Sequence, residues 1–249
     1  GADLTDAVLP SGYLAGKDFH HAIFNGVDLS GKDLSHSKFY RANFVDVNLE
    51  NTNLTQTQLI DMDLTKIKNK SLAGAELDVA TFAWSNLSGV NLAGVNIKGP
   101  INFTRANLSG VDFTLTNTMD GGSIFIRSNL SNSNFEGLDL SGVSYAKTFK
   151  NKAYLMDGMT STATAEMEEK ILVGVFGGKD GGGFIANKRI VSAEIRGNDL
   201  YVEFMYTNAF GAANLENANF KDTNLRYSDF YLADLTKADL SGADLRDVF

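Results

Sequence analysis

Large apolar residues recur at every fifth position along most of this chain. Near its end the spacing is unbroken through Leu215, Phe220, Leu225, Phe230, Leu235, Leu240 and Leu245. The same spacing runs without a slip from Leu4 through Leu9, Leu14, Phe19 and Phe24 to Leu64. A small residue often stands two positions before each large one, with Asp or Asn between them. The pattern predicts a tandem unit of five residues.

A spacing of five fits neither an α-helix, which repeats every 3.6 residues, nor a strand, which alternates every two. If the chain turns a corner every five residues, all the large residues point to one axis. Four sides then make a coil of twenty residues, and coils stack about 4.8 Å apart, the spacing of paired strands. Aromatic residues twenty apart support this interpretation and are expected to form core ladders: Phe19 with Phe39, Phe24 with Phe44, Phe125 with Tyr145, and Phe210 with Phe230.

The repeated unit, Ala-Asp/Asn-Leu followed by two variable residues, closely resembles the pentapeptide-repeat family. The resemblance extends over most of the chain, as in the run ANLEN, ANFKD, TNLRY. It implies an all-β solenoid, a right-handed quadrilateral β-helix. It also implies that the central residue and the residue two before it point inward, while the other three face solvent. Lys17 and Lys32 occupy inward positions, so we expect their ammonium groups to turn out of the core.

The repeat slips in three places and is interrupted once. The slips lie after Leu64, at Gly99–Pro100 and near Asp120-Gly121-Gly122, and each predicts a bulge or corner loop. Residues 146–207 lack the repeat and predict an inserted small α+β module, with a helix at Ser161–Lys170 and two or three strands. The predicted organisation is therefore a β-helix over 1–145, the insertion module over 146–207, and further coils of the same β-helix over 208–249.

Composition excludes several chemistries. The chain has no cysteine, which removes disulfides and thiol nucleophiles. Its net charge of −8 disfavours direct binding to nucleic acid phosphates, and no apolar run is long enough for a membrane span. His20, His21 and His36 fall on outward positions and do not predict a metal site. The loop GGKDGGG lacks the spacing of a phosphate-binding loop.

No nucleophile, base and orienting residue occur together in a catalytic pattern, so we predict a protein that is not an enzyme and needs no cofactor. The function we predict is a non-catalytic interaction scaffold that binds a protein partner through the β-helix faces and the projecting insertion. Outward aromatic residues and the glycine loop supply the candidate partner contacts: Trp84, Tyr40, Tyr227, Tyr231, Lys179 and Asp180.

The family resemblance implies two other functions. Some pentapeptide-repeat proteins imitate DNA and bind gyrase, and this role would require acidic residues aligned on one face. Others form domains of secreted bacterial effectors. We expect a bacterial cytoplasmic protein, with secretion as the alternative. Because the repeat is already running at Ala2 and still running at Leu245, we expect either a piece of a longer protein or end-to-end pairing into a homodimer.

Overall fold

In a computed structural model of this protein, parallel backbone bridges link each coil of the chain to the next. The model describes residues 1–10, 12, 14–119, 122–141, 143–149, 188–196, 199–206 and 208–248. In the first coils each bridge joins residues twenty apart, as in Asp18↔Lys38 and Asp28↔Asn48. Four bridges occur per coil, one on each side. The predicted coil of twenty residues is therefore observed, and the described repeats form a β-helix.

We name the four sides columns A to D, in chain order, by the inward residue of each coil. Column A holds Phe19, Phe39, Leu59, Phe82, Phe103, Phe125, Phe210 and Phe230. Column B begins at Leu4, column C at Leu9 and column D at Leu14. The corner of a column is the pair of residues that follows its inward residue.

Most corners are β-turns with one left-handed residue; Lys66 and Leu115, which stand at the same position in 3₁₀ turns, do not have positive φ. The carbonyl of the inward residue accepts the N–H three positions later, as in Ala22 N–H to Phe19 O at 3.0 Å. The second corner residue has positive φ, for example 56° at His21, and the first does not. This combination is that of a type II turn. It directs the N–H of the second corner residue to the next coil, where His21 donates to Tyr40 O at 2.9 Å.

Asp and Asn before the inward residue support the turn, as the sequence indicates. Their side-chain oxygen accepts the N–H two residues later, at 3.0 Å from Asp28 to Ser30 and 2.9 Å from Asn102 to Thr104. In this position a short side chain replaces a backbone acceptor. The acceptor works equally as a carboxylate or an amide, so the repeat tolerates either residue.

The core is a stack of inward residues filled by a second, smaller set two positions earlier. Ala22, Ala75 and Ala218 are buried in that set. Some polar members of the set donate to a backbone carbonyl, since Ser37 Oγ donates to Leu14 O at 2.6 Å and Thr223 Oγ1 to Phe135 O at 2.7 Å. The hydroxyls of Ser123, Ser133 and Ser228 have no hydrogen-bond partner among the described residues. The two lysines in this set depart from it, because Lys17 is exposed and Lys32 half-buried.

Aromatic rings stack along the coils. In column A, Phe19 lies 5.1 Å from Phe39 with rings 15° from parallel, and Phe210 lies 4.8 Å from Phe230 with rings 8° apart. In column B, Phe24 and Phe44 meet edge to face at 5.3 Å and 78°. All distances are between ring centroids. Rings of neighbouring columns also meet edge to face. The contacts form two aromatic clusters, Phe19 to Phe44 and Phe82 to Phe230, which the coil containing Leu59 separates.

The expected pairing of Phe125 with Tyr145 is wrong. Phe125 stacks on Phe210 instead, at 5.0 Å and 4°. The strand Val143–Phe149 (β3) carries Tyr145 away from the coil, in an antiparallel pairing opposite Phe204. The last inward residue before the interruption is therefore Leu140, and the chain leaves the coil earlier than residue 146.

The slips lengthen individual coils without breaking the columns. Two 3₁₀ turns, Leu64–Lys66 and Lys68–Lys70, accompany bridges that span 23 residues, as in Gln58↔Thr81. Gly99–Pro100 lies within the 21-residue step Thr81↔Asn102, and a third 3₁₀ turn, Phe113–Leu115, lies within the 22-residue step Asn102↔Ile124. The strands β1 (Asn96–Ile97) and β2 (Thr118–Met119) pair in parallel. Met119 is a buried inward residue that the spacing missed.

The largest interruption lies between adjacent coils. Bridges such as Asn129↔Asn214 span 85 residues, which is 65 more than a regular coil. Within the interruption an antiparallel sheet has the order β3-β5-β4, formed by Val143–Phe149, Asp199–Tyr206 and Lys188–Arg196. The predicted helix at 161–170, the glycine loop and the predicted turn at 197–198 lie outside the described residues. In the part of the chain that is described, no helix is long and apolar enough to cross a membrane.

The columns predict how two neighbouring residues differ in their effect on stability. Phe220 is fully buried and stacks on Phe135 at 4.9 Å, so Phe220→Ala should lower the free energy of unfolding by about 3–5 kcal/mol. Lys221 makes an exposed ion pair with Glu136 at 3.1 Å, so Lys221→Ala should cost about 1 kcal/mol or less. Denaturant melts measure both, and equal losses would contradict the assigned inward positions.

The corner geometry predicts a stabilising substitution. Val79 is a β-branched residue with φ of 54°, a conformation that costs on the order of 1–3 kcal/mol outside glycine. Val79→Gly should therefore raise the free energy of unfolding by about 1 kcal/mol, since the entropic cost of glycine is smaller. Val45 is the matched control, because it is a first corner residue without positive φ; Val45→Gly should destabilise. Thermal melts in which Val79→Gly is the more harmful change would contradict the turn geometry.

The supporting carboxylates predict sensitivity to acid. Hydrogen bonds from Thr236 and Ser241 lower the pKa of Asp234 and Asp239, and the Arg246 side chain lowers the pKa of Asp244 to about 2. A lowered folded-state pKa stabilises the protein above the ordinary pKa near 4, and this stabilisation is lost as pH falls through the folded pKa. The triple variant Asp234→Asn, Asp239→Asn, Asp244→Asn should be less stable than the parent at neutral pH but still folded, because Asn accepts the turn hydrogen bond and lacks the charge of the carboxylate. It should lose less stability than the parent between about pH 4 and 2. Superimposable stability curves across this range would contradict the prediction.

Candidate functional site

One corner of the β-helix collects large side chains in every coil but one. The column A corner consists of the pairs His20–His21, Tyr40–Arg41, Ile60–Asp61, Ala83–Trp84, Thr104–Arg105, Ile126–Arg127, Gly211–Ala212 and Tyr231–Leu232. Backbone hydrogen bonds align these pairs in an unbroken series, with Arg41 N–H to Ile60 O at 3.1 Å and Trp84 N–H to Thr104 O at 3.0 Å among them. The side chains are therefore held at the spacing of the coils, about 4.8 Å.

The column A corner has no glycine at its left-handed position. Columns B and C place glycine there repeatedly, at Gly26, Gly89 and Gly110 in column B and at Gly31, Gly74, Gly94, Gly137 and Gly242 in column C. Trp84 and Arg105 instead have φ of 66° and 60°, a conformation that costs a side-chain-bearing residue roughly 1–2 kcal/mol. Backbone strain that recurs along one line of a structure is a reason to look for function there.

The first coils of this corner form an aromatic and charged cluster around Tyr40. The rings of His20 and His21 each lie 5.7 Å from the Tyr40 ring, and the guanidinium of Arg41 lies 5.0 Å from it. Arg41 Nε donates to Asp61 Oδ2 at 2.5 Å, and this hydrogen bond raises the pKa of Arg41. His20 Nδ1 contacts Asp18 Oδ1, which lowers the pKa of Asp18.

In the central coils Trp84 is exposed, and the guanidinium of Arg105 lies over its ring. Trp84 is 56% exposed, and the Arg105 guanidinium lies 4.2 Å from the centre of its ring. Such a cation–π contact is worth about 0.5–1 kcal/mol at an exposed site. Within the described residues neither Arg105 nor Arg127 forms an ion pair. Both arginines are exposed, so this part of the corner is positively charged in an acidic chain.

Two surface pockets adjoin Trp84 and share Ile60. The first, of about 280 Å³, is lined by Tyr40, Arg41, Ile60, Asp61 and Trp84. The second, of about 480 Å³, lies on the outer side of column A and is lined mainly by small and apolar residues: Ile60, Val79, Ala80, Ala83, Pro100 and Ile124, with Gln56, Gln58, Thr81 and Asn102. We call the second pocket the column A groove.

The groove exists because column A departs from the repeat on its outer side. The position before the inward residue is Asp or Asn in only three of the eight coils of this column, at Asp18, Asn102 and Asp229, where the other columns carry mostly Asp or Asn. The other five coils carry Lys38, Gln58, Thr81, Ile124 and Ala209. Ile124 and Ala209 are buried although they stand at an outward position. Column A therefore has an outer surface that is less polar than those of the other three.

Three of the six predicted contact residues meet on this corner. Tyr40, Trp84 and Tyr231 all belong to it; Tyr40 is half-buried and Tyr231 is 71% exposed. Tyr227 is half-buried on the column D corner, where Arg226 lies 5.0 Å from its ring. Lys179 and Asp180 lie outside the described residues. The ladder residues Phe19, Phe24, Phe39, Phe44, Phe210 and Phe230 lie in the core.

The sequence reasoning missed Arg41, Arg105, Arg127 and Ile60. Each is outward in the repeat, and nothing about it is unusual when the sequence is read five residues at a time. The signal appears only when residues one coil apart are compared. It consists of a cation or an aromatic residue at the same corner in successive coils, without glycine.

Histidine and acidic residues do not gather elsewhere into a site. His36 lies on the column D corner, away from His20 and His21. Within the described part of the chain, no three His, Cys, Asp or Glu side chains are grouped so that they could hold a metal ion.

Carboxylates do not form a line on any side. At the bridge positions of the four columns, no two acidic residues follow one another in bridged coils among the described residues. In the last coil Asp229, Asp234, Asp239 and Asp244 occupy one column each, so they ring the coil. An aligned acidic face, as a DNA-like surface would require, is not formed at these positions.

Comparison with known proteins identifies the repeat. A family model described as pentapeptide repeats matches eight copies, over residues 2–40, 42–66, 75–117 and 213–249. No curated protein matches the chain.

Several solved structures are similar to the chain. HetL, a pentapeptide repeat protein involved in heterocyst differentiation regulation from the cyanobacterium Nostoc sp. strain PCC 7120, is 17% identical, with 96% of this chain and 89% of that chain covered and a TM-score of 0.39. Trypsin-treated QnrB1, a plasmid-mediated fluoroquinolone resistance protein, is 14% identical, with 95% and 83% covered and a TM-score of 0.40. A pentapeptide repeat protein of the Arabidopsis thaliana thylakoid lumen is 24% identical, with 53% and 71% covered and a TM-score of 0.20.

Proposed function

The chain belongs to the pentapeptide-repeat family, whose fold is a right-handed β-helix, and we propose that it is a non-catalytic scaffold that binds a protein partner. The observation that carries this proposal is the column A corner, where Trp84, Arg105 and Arg127 are displayed in successive coils beside a groove of small and apolar residues. Exposed aromatic and arginine side chains next to an apolar pocket are the residues that most often anchor a protein interface.

A β-helix suits this role because its side chains are fixed in advance. Backbone hydrogen bonds hold every corner residue to the next coil, so binding orders little of the chain and costs little conformational entropy. The proposal also includes the organisation expected from the sequence, in which 1–145 and 208–249 form one β-helix interrupted by a module at 146–207. The bridges between residues 124–139 and 209–224 support it. We propose the module, with Lys179 and Asp180, as a second contact surface.

The alternative of a DNA-mimicking protein that binds gyrase finds no support in the bridge positions, where acidic residues are not aligned. We propose a bacterial cytoplasmic location, with a secreted effector as the alternative. The end-to-end homodimer stays a prediction.

Photo-crosslinking tests the proposed surface. A photoreactive phenylalanine analogue placed at Trp84 should give a specific adduct with one protein in cells of the source organism. Leu115 is the matched control, because it is 48% exposed at the column C corner, on the opposite side of the coil. The same analogue at Leu115 should give no such adduct. With the purified partner, Trp84→Ala should weaken binding about tenfold or more, the effect of removing an interface anchor, and Leu115→Ala should leave it unchanged.

Equal adducts at the two positions, or no protein adduct at Trp84, would contradict this interface. Circular dichroism of each variant checks that the β-helix is intact.

A further inference from the structure

Two arginines that form no ion pair with the residues described in the structure stand side by side in a protein that carries an excess of acid. The chain has 30 acidic and 22 basic residues, and Arg41, for comparison, is paired with Asp61. Arg105 and Arg127 occupy the same corner position in adjacent coils and are joined through the hydrogen bond from Arg105 N–H to Ile126 O at 2.9 Å. The bridge positions of column B beside them carry neutral Asn107 and Asn129. No carboxylate at these positions neutralises the pair.

The two arginines also lie at the edge of an apolar surface. The column A groove reaches the same corner at Ile60 and Ala83. Ala83 directly precedes Trp84, whose ring lies 4.2 Å from the Arg105 guanidinium. A ligand seated here would meet positive charge along one side and apolar surface along the other. This combination of charge and apolarity is absent from columns B and C, whose corners are rich in glycine.

The length of the surface fits a short extended chain. From Tyr40 to Arg127 the corner crosses four coil-to-coil steps, which is about 19 Å at the spacing of paired strands. An extended peptide rises about 3.3 Å per residue, so roughly six residues span this distance. Arginine guanidinium groups bind carboxylates through paired hydrogen bonds, which favours Asp or Glu in such a segment.

We propose that the column A corner and the column A groove bind an extended acidic segment of the partner protein. Its carboxylates pair with Arg105 and Arg127, and a large apolar side chain enters the groove beside Trp84. This inference rests on the proposed function and names the chemistry of the partner.

A nucleic acid is the competing ligand, because arginine and aromatic residues also bind single strands. The charge of the protein favours the peptide. The phosphates of a nucleic acid strand would extend past the basic corner, along a protein whose net charge is −8. A segment of about six residues contacts only the basic part, and acidic groups further than about 8–10 Å are screened at physiological salt.

A displayed library of random dodecapeptides, selected on the purified full chain, tests the inference. The enriched sequences should contain Asp or Glu near a large apolar residue. A synthetic peptide of the enriched sequence should change the fluorescence of Trp84, the single tryptophan of the chain, and should bind more weakly as salt is raised. In fluorescence anisotropy, Arg105→Glu and Arg127→Glu should each raise the Kd about tenfold or more, because charge pairs across an interface turn repulsive.

Lys237→Glu is the matched control. Lys237 also occupies a left-handed corner position, with φ of 57°, but on column B in the last coil. The same change of charge there should leave the Kd within about twofold, as a distant exposed charge does. An oligothymidylate should bind more weakly than the selected peptide.

Four results would overturn the inference: no enrichment, enriched peptides without acidic residues, a Kd unaffected by the arginine variants, or tighter binding of the oligothymidylate. If an adduct forms at Trp84 and acidic peptides do not bind, the proposed function stands and this inference fails. If acidic peptides bind but no partner adduct forms, the peptide site stands and the proposed function fails.

Discussion

The left-handed residue found at most corners is the constraint on which the structure depends. It closes the turn after every inward side chain, and it aims its own N–H at the next coil, as His21 does toward Tyr40 O. Without it the chain would not turn every five residues, and the inward residues would not share an axis. Stacking of the phenylalanines follows from this closure, because the turns bring Phe210 over Phe230 at 4.8 Å. The same backbone conformation therefore closes the turns and aligns the inward residues of the core.

Much of the fold can be predicted from local sequence, because each unit of five residues contains the side chains that form its turn and its part of the core. The inward residue, the small residue before it and the supporting Asp or Asn could all be identified from the repeat, and the structure places Asp28 and Asn102 as expected. What local sequence does not contain is the length of each coil. A 3₁₀ turn such as Phe113–Leu115 adds residues without changing the composition of the unit, so Met119 could not be recognised as an inward residue.

The predicted pairing of Phe125 with Tyr145 was wrong for the same physical reason, because local sequence does not contain the length of the coil. Its partner is chosen by coil-to-coil hydrogen bonds, and those bonds reach Ala209 across 85 residues. Tyr145 has the right spacing but forms part of a strand whose partners lie outside the repeat. The candidate site could not be predicted from local sequence for the same reason. Tyr40, Trp84 and Tyr231 were recognised singly as outward, but their meeting on one corner depends on irregular coil lengths that only the bridges reveal.

The backbone strain at the column A corner links the fold to the proposed interaction surface. Glycine would satisfy the turn at less cost, and columns B and C use it repeatedly. Column A instead keeps a side chain at the left-handed position in every described coil, and from Arg41 to Arg127 each of these side chains is charged or aromatic. Glycine and larger residues make the same hydrogen bond between coils, as in Gly26 N–H to Val45 O and Arg105 N–H to Ile126 O, so closure does not require a side chain there. It is tolerated because many other coil contacts determine the backbone there. Columns B and C thus reduce the strain with glycine at several corners, while column A holds side chains at a fixed spacing where a partner can reach them.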